Sequence, residues 1–244
     1  HVEYVKQATR TSADRYIAPL IMENKEVTKR VLREARLPVP EGFAVRTVIE
    51  AERHWPHFAG RGLVIKPRST NFGEGVVIFR DGQWTRAQAN EAVAAAFALD
   101  STALLEEFIV GPEYRLLVIG DQLGPTEADY LAAQGADFDA VPAAGQIVYL
   151  RENSNISTGG DSIDHTDDIH PGYKAAAVRA AQAVGARICG ADIIIPDLHA
   201  APTADNYSII ELNYNPALHI HDHPFSGQTR YVEGKVLDLL GFGA

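Results

Sequence analysis

Oxygen-bearing side chains recur near the end of the chain, with Asp192 in "ADIII" and Glu211 and Asn213 in "YSIIELN". If these two strands form a hairpin, a register symmetric about Ala201 sets Asp192 opposite Glu211, with Asn213 on the same face. Two carboxylates facing each other across strands repel unless a cation sits between them. An all-oxygen set of Asp, Glu and Asn suits Mg²⁺, with Mn²⁺ as a second hard cation. The alternative is a solvated strand end whose acids point into water. Just downstream, "HIHDH" would align His219, His221 and His223 on one side if the segment is extended, as a transition-metal site requires. The spacer of an H-x-H-x-D-H zinc motif and the helical H-E-x-x-H pattern are both missing. On these residues alone the metal and solvated-face readings of Asp192, Glu211 and Asn213 both stay open, with the histidines as pocket wall or its support if the metal lies upstream.

Lys66 ends the apolar strand "GLVIKP", an expensive place for a charge unless the ammonium emerges into a cleft to meet an anion. The following loop, "RSTNFGEG", carries Gly73 and Gly75, whose backbone N–H groups are placed to close over phosphates, though a plain hairpin turn has the same composition. In "LLEEFI", strand alternation puts Glu106 and Glu107 on opposite faces, so one faces the cleft. Arg151 closes the strand "QIVYLR" and opens a polar stretch with Gly159 and Gly160, a clamp for a developing acyl phosphate. For Glu106 or Glu107 the alternative is an edge-strand acid, and for Arg151 an ordinary surface ion pair.

The elements that must position these groups follow from periodicity. "NKEVTKRVLREARLPVP" reads as a helix capped by Asn24 and stopped before Pro38, with an apolar stripe of Val27, Val31, Leu32 and Ala35. Lys25 falls in its first turn. The strand "FAVR", a helix around "VIEAERHW" and a hairpin of "GLVIKP" with "GVVIF" come next. The alanine-rich helix "TRAQANEAVAAAFALD" then leads to the strands "ALLEEFI" and "EYRLLVIG", which are separated by a hinge at Val110-Gly111-Pro112. A short helix is expected around "EADYLAAQ", and a polar surface loop over "RENSNISTGGDSIDHTDD". "GYKAAAVRAAQAVGARI" and "GQTRYVEGKVLDLLGF" read as helices flanking the final hairpin. The class expected is α/β (α+β), two lobes flanking a cleft.

The 244 residues carry a formal net charge of -10, which argues against nucleic acid or an anionic membrane as partner. Any phosphate must be handled by a few placed cations. The lone Cys189 excludes a disulfide framework and reads as a small buried thiol. No apolar run approaches a membrane span and the start does not resemble a signal peptide, so a cytoplasmic location is expected. The chain starts at His1 rather than Met, which reads as a piece of a longer protein.

"MENKEVTK", "KPRSTNFGEGV", "EEFIVGPEYR", "YLRENSNISTGGDSID" and "IIELNYNPALHIH" occur in the order seen in ATP-grasp ligases. The sequence is similar in particular to the glutathione-synthetase module of bacterial bifunctional glutathione-synthesis enzymes. Its "LRENSNISTGG" run also resembles the cyanophycin synthetase ATP-grasp module. The resemblance implies two lobes with largely antiparallel sheets clasping ATP, with a connecting segment over 1–22, a first lobe over 23–110 and a second over 111–244.

On this resemblance Lys25 and Lys66 contact the ATP phosphates, and the loop of Ser69, Asn71, Gly73 and Gly75 closes over them. Glu106, Glu107 and Ile109 line the adenine pocket, with Glu113 on the ribose. Asp192, Glu211 and Asn213 hold Mg²⁺. Arg151, Asn153 and Asn155, beside Gly159 and Gly160, bind the transferring phosphoryl group and the acceptor carboxylate. The substrates implied are γ-glutamylcysteine and glycine, and the implied covalent partner is an N-terminal γ-glutamylcysteine ligase domain. One departure is evident: the family continues after "LLVIGDQ" through a further strand and a long basic segment, whereas Gln122 here runs into Leu123-Gly124-Pro125, as if a segment between 122 and 123 were missing. The rival expectations are a cyanophycin-synthetase-like amide ligase, a zinc metallohydrolase using the histidines, and a nucleotide-binding module without catalysis.

Overall fold

The computed structural model describes residues 5–6, 9–70, 73–129 and 162–242. Two antiparallel sheets organise them. The first, ordered β1-β4-β2-β3, is built from Gly42–Val45, Leu63–Pro67, Val77–Phe79 and Ala103–Glu107, which are β1, β2, β3 and β4 in chain order. The second, ordered β7-β6-β5-β8-β9, is built from Glu113–Ile119 (β5), Gln122–Asp129 (β6), Ser162–Asp164 (β7), Ile188–Ile194 (β8) and Ser208–Asn213 (β9). Seven α-helices pack on them: α1 (Ile17–Glu23), α2 (Lys25–Glu34), α3 (Val48–Glu52), α4 (Arg86–Phe97), α5 (Pro171–Val184), α6 (His219–Asp222) and α7 (Val232–Leu239).

In the first sheet, alternation along β2 buries Leu63, Ile65 and Pro67 while Val64 and Lys66 face the other way. The buried face meets Ala89, Ala92, Val93 and Ala96 of α4, whose small side chains allow a close helix–sheet approach. A Thr85–Gln88 capping box starts that helix. In the second sheet, β8 is buried along its whole length because strands flank it and helices cover it. Alanines 176, 177, 180 and 181 of α5 pack with Leu116, Val118, Ala191 and Ile193 on one face. On the other face, Leu117, Ile119 and Ile188 pack with Val232, Val236 and Leu240. Cys189 lies in the α5-side core, fully buried, with its thiol pKa pushed up to about 12 by burial.

Four expectations need correction. Residues 127–129 of the expected helix "EADYLAAQ" are strand: β6 is bonded to β5 along one edge and to β7 along the other, and ladder pairing overrides local helix preference. Gly124 and Pro125 sit where the β5–β6 register shifts, and Pro125 has no N–H for a regular ladder. Ser162–Asp164, expected as loop, form β7, a short strand paired with 127–129 of β6 and bridged at Ile163 to Ser226. The buried stripe of α2 is Lys25, Thr28, Lys29 and Leu32, while Val27 is exposed. Finally α2, expected with the first lobe, has Leu32 in the α5-side core of the second sheet. The expected strand "QIVYL" lies outside the described residues. Gln122 and Leu123 continue as one strand.

Candidate active site

The β8–β9 hairpin has the register that symmetry about its loop implies: Asp192 pairs with Glu211, and Gly190 with Asn213. Asn24 caps α2 by accepting from the Val27 amide, 3.2 Å away. That cap sets Lys25 and Lys29 one turn apart on one face of the helix. Alternation along β2 and β4 places Lys66 and Glu106 on the first-sheet face opposite α4. Gly42 of β1 stands opposite Glu106, and a Cβ there would lie 2.2 Å from the Leu105 carbonyl oxygen, so only glycine leaves room for this pairing.

These residues meet in one charge cluster. Glu106, buried, takes Lys29 on Oε1 and Lys66 on Oε2, the latter at 3.0 Å. Lys25 contacts Glu211 at 3.1 Å and donates to the carbonyl oxygen of Thr70, which joins α2, the loop after β2, and β9. Arg115, the cross-strand partner of Asp192, grips it with two bonds of 2.7 and 2.9 Å. Asn213 Nδ2 donates to Asp192 Oδ2 at 2.8 Å. Four cations thus face three carboxylates, in a chain whose overall charge is negative.

Burial acts against the charge of Glu106, but Lys29 and Lys66 outweigh it and hold its pKa at about 2. Lys66 is raised, because Glu106 and then Glu211 overcome its own burial. Lys29 goes the other way, to about 7: burial and the neighbouring Lys66 outweigh the attraction of Glu106. Two ammonium groups share one carboxylate, so their titrations are coupled through it. With all four cations protonated the cluster carries one net positive charge, which suits an anionic ligand.

Of the residues expected to act, Lys25, Lys66, Glu106, Asp192, Glu211 and Asn213 are brought together. Ser69 is held at the base of its loop by Asp100, through its amide at 3.0 Å. Gly73 and Gly75 have φ of 74° and 73°, the left-handed backbone that their identity anticipates. Glu107 faces away from the cluster, accepting from the Glu41 amide at 2.9 Å with Arg61 at 3.7 Å. Ile109 is half-buried in the connection between the sheets, and Glu113 opens β5. Asn71, Arg151, Asn153, Asn155, Gly159 and Gly160 lie outside the described residues.

The histidine segment is helical, not extended. His219 and His223 are exposed one turn apart and His221 points inward, so the three do not share a face. Burial, with Arg115 nearby, pushes His221 down to about 3, so it is neutral. Among the described residues no group of three or more His, Cys, Asp or Glu side chains is arranged to hold a metal ion.

Two participants were missed. The expected set does not include Lys29, although its spacing of four from Lys25 is an available signal. Arg115 stands in the strand "EYRLLVIG", where a charge flanked by buried apolar neighbours is as costly as at Lys66.

The fold and cluster have counterparts. Residues 22–226 match the RimK-like ATP-grasp domain. The chain is 44% identical, over 98% of its length, to the glutathione biosynthesis bifunctional protein GshAB of Clostridium perfringens, and 42% identical to that of Desulfotalea psychrophila. It spans 36% of the length of each. The first alignment runs over 284 residues against the 244 of this chain, so that relative carries residues with no counterpart here. The crystal structure of a bifunctional glutathione synthetase from Pasteurella multocida superposes with a TM-score of 0.73 at 36% identity, over 99% of this chain and 39% of that one. Two antiparallel sheets, a cationic face between them and a match over most of the length lead to one conclusion: this chain belongs to the RimK-like ATP-grasp family.

Proposed function

We propose that the chain is the glutathione-synthetase part of a longer bifunctional enzyme, joining γ-glutamylcysteine to glycine at the expense of ATP. The observation that carries this reading is the cluster itself: Lys25, Lys66 and Arg115 converge from both sheets and α2, where a nucleotide triphosphate needs its charge neutralised, with Lys29 on Glu106 behind them. The identity to bifunctional glutathione proteins supports γ-glutamylcysteine and glycine as the substrates among ATP-grasp reactions. The remaining partner is a covalently attached γ-glutamylcysteine ligase region, in keeping with the fraction of the relatives that this chain spans. We keep lobes at about 23–110 and 111–244 as the proposed division, with α2 as the bridge between the two sheets because its Leu32 packs in the core of the second.

In this account an oxygen of the cysteinyl carboxylate forms a bond to the γ-phosphorus while the bond from phosphorus to ADP breaks. The glycine amine then attacks the acyl carbon and loses a proton, and phosphate leaves. Lys66 and Lys25 hold the phosphates from two sides, and the loop of Ser69 to Gly75 closes over them. Arg115, together with Arg151, Asn153, Asn155, Gly159 and Gly160, serves the transferring phosphoryl group and the carboxylate. Glu106 and Ile109 serve the adenine side, with Glu107 and Glu113 at its margin. The oxygen donors of Asp192, Glu211 and Asn213 fit a hard divalent cation such as Mg²⁺. Bound there, the ion would offset phosphate charge.

ADP release with γ-glutamylcysteine tests this reading, with glycine, alanine, aspartate and arginine each offered as acceptor. Stimulation by glycine supports it. Stimulation only by aspartate or arginine on a cyanophycin-like primer would replace it, and ATP binding without any stimulated ADP release would leave a module without catalysis.

A further inference from the structure

Lys29 is 5% exposed and comes from α2, a helix whose apolar side belongs to the core of the second sheet. Its ammonium crosses to the first sheet and bonds Oε1 of Glu106, while Lys66 holds Oε2 at 3.0 Å. Each oxygen of one buried carboxylate therefore has its own cation. This doubling is unnecessary for Glu106 alone, since one good partner compensates a buried charge.

It becomes necessary if Lys66 must leave. A phosphate drawing Lys66 away from a lone Glu106 would strand a buried anion, and stranding one member of a buried pair is strongly unfavourable. With Lys29 in place Glu106 keeps a partner. We propose that Lys29 is a positioning residue for nucleotide binding: it holds Glu106 when phosphate recruits Lys66, and so frees Lys66 to bind the nucleotide without itself touching it. The inference rests on the nucleotide-binding reading given above. It also assigns α2 a role in joining the sheets, since Lys25 reaches Thr70 and Glu211 while Lys29, one turn on, reaches Glu106.

The test measures the equilibrium affinity for ATP, and the KM for ATP against kcat, in Lys29→Met, Lys29→Arg, Glu106→Gln and Lys29→Met/Glu106→Gln. Lys29→Met keeps the apolar stem and loses the charge, and it should weaken ATP by roughly tenfold or more through KM, with kcat little changed. Lys29→Arg should retain affinity within about threefold. Glutamine at 106 has no charge to hold Lys66, so adding Lys29→Met to Glu106→Gln should cost no more than about threefold.

Wild-type affinity in Lys29→Met would overturn the proposal. So would a tenfold loss on adding Lys29→Met to Glu106→Gln, which would mean that Lys29 meets the nucleotide directly. The double variant leaves no buried carboxylate unpaired, so the comparison with Glu106→Gln decides the matter even if Lys29→Met does not fold. A wild-type chain that does not bind ATP would instead remove the reading on which the proposal stands.

Discussion

Asp192 and Glu211 stand opposite each other on adjacent strands, and each is already matched by a cation of the protein: Arg115 grips Asp192, and Lys25 contacts Glu211. The repulsion expected between facing carboxylates is thus relieved by side chains from β5 and α2. The same two acids are the proposed divalent-ion ligands, so on that proposal ion binding and the grip of Lys25 and Arg115 would compete for one set of oxygens.

Replacing Glu211 by Ala should therefore abolish ATP-dependent ligation while leaving the fold intact, because the side chain is partly exposed and packs no core. The expected loss is on the order of a hundredfold or more in turnover. Steady-state ADP release and circular dichroism on the same preparation measure both halves of the statement.

Arg115→Met should leave buried Asp192 with the Asn213 amide as its side-chain partner among the described residues, destabilising the fold by about 3 kcal/mol. Added Mg²⁺ should recover part of that loss, since it supplies the missing positive charge. Thermal unfolding with and without Mg²⁺ checks this: a larger upward shift in the variant than in the wild type is expected.

Glu106 has a folded pKa of about 2 against an ordinary 4.5. A depressed carboxylate contributes stability that is complete above 4.5 and is lost as pH falls from there through about 2. The size of this contribution is about 3 kcal/mol. Urea unfolding of wild type and Glu106→Gln across that window should show the steeper loss in the wild type.

Gly75→Ala should loosen the loop after β2. The backbone φ of 73° disfavours any side chain, and a Cβ would lie 2.6 Å from Leu99 Cδ1 and 2.8 Å from Pro67 Cγ. A cost of about 1 kcal/mol or more is expected, together with a higher KM for ATP. Thermal unfolding and ATP titration of the variant measure both.

The parts of this architecture legible from sequence were those written in periodicity and turn chemistry. The pairing of Asp192 with Glu211 followed from a hairpin centre, and the cap of α2 from Asn24. Lys66 was legible because a charge on an apolar strand demands a destination. What escaped notice was set by tertiary contact. Lys29 resembles any surface lysine until Glu106, 77 residues away, is brought to meet it. β7 is polar and short, and its pairing to β6 and the bridge from Ile163 to Ser226 make it a strand. Local sequence also gave no sign that Val27 would be outside and Lys25 and Lys29 inside, because burial of those lysines depends on acids from two other strands.

The central claim is that this site activates a carboxylate as an acyl phosphate. It is tested most directly with γ-glutamylcysteine carrying ¹⁸O in the cysteinyl carboxylate, incubated with ATP, Mg²⁺ and glycine. The account predicts that glutathione forms together with inorganic phosphate bearing one ¹⁸O from that carboxylate. Phosphate released without the label, alongside glutathione formation, would contradict it.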